Sequence, residues 1–138
     1  MINAGGEIIG LNITAVYASL FGLLLIFLSS RVVRWRRELS VGLGDGGEES
    51  LSRAQRAQAN FIEYVPIALL LLAVAESQGL TGWLLHTSGV ILVLARLLHA
   101  WGLSKSSGRS FGRFWGTLLT WAVILALSFA NIYGALVG

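Results

Sequence analysis

The segment RAQRAQANFIEYVPIALLLLAVAE, residues 53–76, opens with two arginines, an asparagine and a glutamate and then runs apolar to a second glutamate. Counted at about 3.6 residues per turn, Arg53, Arg56, Asn60 and Glu63 fall on a single stripe, while Ala54, Ala57, Phe61 and Ile62 take other faces. Between Pro66 and Glu76 the segment is apolar all round. The period is that of a helix, and the apolar run suits one that enters a bilayer. A charged side chain well inside hydrocarbon costs about 2.5–3.5 kcal/mol on insertion scales, so Glu63 requires a partner or a wet cavity.

The rest of the chain agrees. Of its 138 residues 55% are hydrophobic and 12% charged, with a mean hydropathy of +0.73. A soluble domain would carry about a quarter of its residues as charges. Residues 8–30 and 114–138 contain no charge at all, and each run is long enough to cross about 30 Å of hydrocarbon. Two further candidate spans, 56–77 and 83–104, are separated by SQGLTG, a turn at the water boundary. The reading is an all-α integral membrane domain of four helices, about 8–30, 56–77, 83–104 and 113–136, joined by loops 31–55 and 105–112. The first apolar run lacks a preceding basic residue and ends in SSRVVRWRR, so it reads as a retained helix instead of a cleaved signal.

Orientation follows from the ten Lys and Arg residues. Arg31, Arg34, Arg36, Arg37, Arg53 and Arg56 flank the first loop, Lys105, Arg109 and Arg113 flank the third, and Arg96 alone lies elsewhere. By the positive-inside rule loops one and three face the cytosol and both termini face outward. The net charge of +3 is accounted for by this rim and needs no nucleic-acid partner. The loop VGLGDGGEES has no Lys-Ser/Thr ending and follows no strand, so it reads as a flexible connection and not a phosphate loop.

With no cysteine, the chain has no thiol of its own, and any sulfur chemistry must come from a bound molecule. His86 and His99 do not have metal-site spacing, so no metal is expected. Nor is there a GxSxG elbow; His86 reads as an interfacial residue near the outer end of the third helix.

Depth brings the remaining polar groups together. At about 1.5 Å per residue, Glu63 lies roughly 10 Å in from the cytosolic side and Arg96 about 12 Å, which makes Arg96 the expected counter-ion of Glu63. His99 comes level with Asn60, while Arg31 and Arg113 close the cytosolic ends of helices one and four. In one account this layer glues the bundle. In the other its surplus of arginine forms a pocket for an anionic, zwitterionic peptide, with guanidinium forks for carboxylates, Asn60 for an amide and Glu63 for an ammonium group. Gly112 and Gly116, four residues apart, permit close helix approach or close access of a ligand, packing being the preferred reading.

RAQRAQANFIEYVP closely resembles the signature of the MAPEG superfamily, the membrane-associated proteins in eicosanoid and glutathione metabolism, whose members carry a RAxxNxxExxP-like pattern at the start of their second helix. The resemblance extends over the chain: four helices, a basic first loop, an arginine and a histidine in helix three, and an arginine opening helix four. The signature is particularly similar to leukotriene C4 synthase, the remainder to short bacterial members. It implies a homotrimer in the bacterial inner membrane that binds glutathione near its cytosolic side and activates the thiol as a thiolate. A hydrophobic electrophile or lipid hydroperoxide would be the second substrate of such a transferase or peroxidase. Matched position by position, Arg56, Gln58, Asn60, Glu63 and Tyr64 resemble glutathione contacts, and Arg31 a basic residue supplied by the adjacent subunit. Arg113 looks like the catalytic arginine, with Arg109 close enough to be confused with it. Arg53, Arg96 and His99 are left as a supporting polar layer.

The chain departs from the pattern where family enzymes often have tyrosines late in helix three, for it has Trp101 and Leu103 there; Gln58 stands where bacterial relatives commonly have histidine. A lipid- or glutathione-binding member without turnover, which would keep the trimer but not thiol activation, is an alternative, and Arg56, Asn60, Glu63 and Arg113 argue against it. A small exporter is another, but such exporters carry a glutamate in the middle of helix one, and this helix one has none.

Overall fold

The computed structural model describes residues 10–105, 108 and 110–137. They form four helices, α1 (Asn12–Leu39), α2 (Glu49–Ser77), α3 (Gly82–Lys105) and α4 (Phe111–Val137). All four are long and apolar enough to cross a membrane. Large apolar side chains such as Leu23, Ile26, Leu94, Phe129 and Ile132 lie on the outside. That surface is suited to lipid, where an outward-facing leucine loses nothing.

The helices run past the expected spans where the sequence turns polar. α1 continues from the expected end at 30 to Leu39. Arg34 and Glu38, one turn apart and 2.7 Å between Nε and Oε1, support this last part. It closes at Ser40, which takes a left-handed φ of 55° while the N–H groups of Ser40 and Val41 reach the carbonyls of Arg37 and Arg36. α2 likewise begins at Glu49 instead of 56, with Glu49 3.7 Å from Arg53. Leu51 and Ala54 of this extension pack on Val32, forming a small apolar cluster separate from the main core. The connection between them, expected to be flexible, is tied down locally. Gly44, Gly46 and Gly47 supply its positive φ angles, and Gln55 Nε2 donates to the Gly44 carbonyl at 2.8 Å.

α2 touches the other three helices, and α3 and α4 form the most extensive contact, whereas α1 and α4 do not meet among the described residues. The buried positions of α2 (Leu51, Ala54, Ala57, Phe61, Val65, Ala68, Leu72 and Ala75) recur every three or four residues. This is the seam by which a helix packs against close neighbours. Phe21 and Leu28 of α1, Leu85 and Leu92 of α3, and Val123 and Leu127 of α4 complete the core around it.

Alternating direction places the 40–48 connection, the end of α3 and the start of α4 at one end, the basic end, and the Gln78–Thr81 connection at the other. At that other end Glu76, on the last turn of α2, accepts the N–H groups of Ile13 and Thr14 at 2.8 and 2.7 Å, satisfying donors at the start of α1. Tyr17 donates its hydroxyl to the His86 carbonyl at 3.0 Å and lies 3.1 Å from His86 Nδ1. His86, expected to be interfacial, is thus a tie between α1 and α3. Glu76→Ala is expected to lower stability by about 0.5–2 kcal/mol, the usual worth of an N-terminal cap. A thermal unfolding scan in detergent reads this as a reduced midpoint, and an unchanged midpoint would mean that the cap carries no weight.

Candidate functional site

The basic end contains a cleft of about 920 Å³ between the start of α2, the end of α3 and the start of α4. Three helices contribute its polar groups: Arg56 and Asn60 from α2, His99 from α3, and Arg113 with Thr117 from α4. Its remaining wall is apolar and aromatic, with Leu103, Phe114, Trp115, Leu118 and Trp121. Several of these, Phe114 and Trp121 among them, are exposed on the outside of α4. The cleft therefore joins a cationic pocket to an exposed apolar surface.

Glycines bring the α4 side of the cleft close to α3. A Cβ on Gly112 would lie 2.6 Å from the Leu98 carbonyl oxygen, and one on Gly116 2.6 Å from that of Ala95 and 2.7 Å from His99 Cβ. Only glycine allows the two backbones to meet this closely, so the spacing of Gly112 and Gly116 serves packing, as preferred above. Arg113, between them, is half-buried; its Nη1 donates to the Gly108 carbonyl at 2.6 Å and its N–H to Ser110 Oγ at 3.3 Å. Arg109 lies outside the described residues.

The structure corrects the expected ion pair. Arg96 is 97% buried, judged by its 3% exposure, and is not within ion-pair distance of Glu63. Its Nη1 donates instead to Asn60 Oδ1 at 2.7 Å and its Nη2 to the Gly116 carbonyl at 2.9 Å, while the guanidinium carbon sits 5.9 Å from the centre of the Tyr64 ring. Glu63 is exposed on the outer face of α2. Equal depth did not bring the two charges together because α2 turns Asn60 toward α3 and Glu63, three residues on, away from it.

The other expected positions divide between the cleft and the remaining surface. Arg56 and Asn60 line the cleft; Gln58 does not, and its Nε2 donates to Ser29 Oγ on α1 at 2.7 Å. Tyr64 is half-buried against Arg96, and Arg31, expected to close helix one, is half-buried inside α1, which runs on to Leu39, and lies outside the cleft. Arg53 is engaged with Glu49. His99 is buried, with 7% exposure, and faces the cleft. Late in α3, Leu103 lines the cleft and Trp101 lies outside it under the Lys105 ammonium, 4.9 Å from the ring centre. Thr117, Trp115 and Trp121 join the cleft beyond the residues expected from the sequence. Thr117 and Trp121 had a signal in RFWGTLLTW, where positions 113, 114, 117, 118 and 121 share a helix face; Trp115 falls off that face and had none.

A family model for the MAPEG family matches residues 14–133. The chain belongs to the MAPEG family. It is also 37% identical over 121 residues to the inner membrane protein YecN of Escherichia coli K12, an alignment covering 88% of this chain and 91% of that protein. YecN of a second strain, Escherichia coli O6:H1, matches to the same extent. The MAPEG match spans the described helices from near the start of α1 to near the end of α4, so the cleft residues all lie within the matched region.

Proposed function

We propose that this MAPEG protein is a glutathione-dependent transferase or peroxidase of the bacterial inner membrane, working as a homotrimer with the cleft toward the cytosol. The observation that carries this reading is the convergence of Arg56, Asn60 and Arg113 in one cleft whose other wall is apolar and aromatic. A volume of about 920 Å³ is in the range that encloses a small ligand. The Arg56 guanidinium matches a carboxylate of glutathione, and a charged fork of this kind binds carboxylates more strongly than neutral donors do.

Arg113 is assigned the thiol. Its guanidinium stabilises the thiolate left when the sulfur loses its proton to water. The thiolate then attacks an electrophilic carbon, forming a carbon–sulfur bond as a leaving group departs. With a hydroperoxide it attacks an oxygen, breaking the O–O bond and releasing an alcohol, and a second glutathione converts the resulting sulfenic acid to disulfide and water. Glu63, Gln58 and Arg31 lie outside the cleft of a single chain. In a trimer these residues can complete a site from the facing subunit, which gives the exposed Glu63 the partner its position requires.

One observation favours a second reading, binding without turnover: Leu103 lines the cleft where a tyrosine hydroxyl could have assisted the thiol. The two readings separate in one experiment. Glutathione is titrated into detergent-purified protein near neutral pH while ultraviolet difference absorbance reports thiolate. Saturable binding with a thiolate signal supports the enzyme, binding without it supports the second reading, and absence of binding removes both.

A further inference from the structure

Arg96 is too far inside the protein to line the cleft, yet it holds a residue that does. An arginine has five N–H donors and no acceptor, so the atom of Asn60 facing it at 2.7 Å is the carbonyl oxygen Oδ1. The Asn60 Nδ2 group must then point the other way, and none of its hydrogens is engaged by a described residue. The guanidinium is itself fixed, by the Gly116 carbonyl at Nη2 and by the ring of Tyr64. Its Nε is buried without a hydrogen-bond partner, so the side chain is held in place at the cost of one unsatisfied donor. No carboxylate in the described residues forms an ion pair with it.

We infer that Arg96 is a positioning residue which, by donating to Asn60 Oδ1, turns the Asn60 amide so that its N–H groups face the cleft and select an oxygen acceptor, a carboxylate or carbonyl, on the bound ligand. Without that lock a neutral amide can rotate and offer either end. With it, the polar point contributed by Asn60 has the same sense as its neighbours Arg56 and Arg113, and a ligand ammonium or amide N–H is disfavoured there. The inference rests on the cleft being a ligand site, but it concerns the orientation of one amide and can fail independently of glutathione.

Two readouts test it. The first needs no ligand: in protein labelled with nitrogen-15 on asparagine, the Asn60 side-chain protons, assigned by their loss in Asn60→Asp, exchange rapidly with cleft water. Protected protons would overturn the inference, whatever the protein binds. The second compares glutathione with its two mono-amides, each having one carboxylate replaced by a donor-bearing amide. The wild type prefers glutathione over at least one of them. Asn60→Asp, which keeps its contact to Arg96 but presents only oxygen, weakens glutathione binding on the order of a hundredfold and reverses that preference.

Arg96→Met, which fills the space while Thr120 Oγ1 still donates to the Gly116 carbonyl at 2.7 Å, flattens the preference and costs about tenfold in glutathione affinity. A purely structural Arg96 would weaken every ligand equally and leave the ratios as in the wild type, and that result rejects the selecting role. If the wild type binds none of the three ligands while its Asn60 protons exchange freely, the glutathione reading falls and the amide orientation stands.

Discussion

Replacing Arg113 by alanine is expected to leave glutathione bound within a few fold of the wild-type affinity while the thiolate absorbance of the bound thiol disappears at neutral pH. A free thiol has a pKa of about 8.5, so only a few per cent is ionised near pH 7. Bringing it down by two pH units takes about 2.7 kcal/mol of differential stabilisation, which a guanidinium in a poorly hydrated cleft can supply. Turnover at neutral pH should therefore drop by about tenfold to a hundredfold. Because the loss is one of ionisation, the gap should narrow as pH rises through the pKa of the free thiol, where alanine variant and wild type hold the same species. Arg113→Lys keeps a charge but not the planar fork and should fall between them. Since Arg113 also holds the Gly108 carbonyl, binding of an S-alkylated glutathione, which has no proton to lose, serves as the control for a displaced connection. A variant that turns over normally and shows the thiolate band would transfer the role to another cation, Arg109 first.

The four helices were legible because hydropathy over a membrane-length window is a strong signal, and MAPEG membership was legible because RAQRAQANFIEYVP combines charge and spacing that few apolar helices share. Helix ends were less legible for a physical reason. The last turns of α1 and the first of α2 are helical through one-turn ion pairs and a small cluster around Leu51, none of which raises hydropathy. The pairing of Arg96 was misjudged because depth along a helix is readable from residue count, whereas the direction a side chain faces depends on which neighbour each helix turns toward. The stripe Arg56, Asn60 and Glu63 is real, but its members serve different surroundings: Asn60 meets Arg96 and Glu63 leaves the bundle. The aromatic wall of α4 escaped notice because tryptophan in a lipid-facing helix is ordinary, and only the cleft beside it makes Trp115 and Trp121 informative.

The largest effect on stability should come from Gly116→Val. A Cβ at this position would fall 2.6 Å from the Ala95 carbonyl oxygen, 2.7 Å from His99 Cβ and 2.9 Å from His99 N. Two of these are backbone atoms of α3, which cannot swing aside as a flexible side chain would, so the helices must separate. Separation withdraws the Gly116 carbonyl from Arg96 and so leaves that guanidinium with another unsatisfied buried donor. Overpacking alone costs about 1–3 kcal/mol and the stranded donor about as much again. The unfolding midpoint should fall by on the order of 10 °C, or folded protein should not be recovered at all. Gly22→Ala is the matched control, because a Cβ on Gly22 meets nothing within 4 Å and the residue lies on the exposed face of α1; its midpoint should not fall. Gly116 also borders the cleft through His99, so the same variant decides what the glycine is for. A lowered midpoint assigns it to the contact between α3 and α4, while an intact midpoint with lost glutathione binding would assign it to ligand access, and α4 would then approach α3 to make room for the ligand instead of to hold the bundle together.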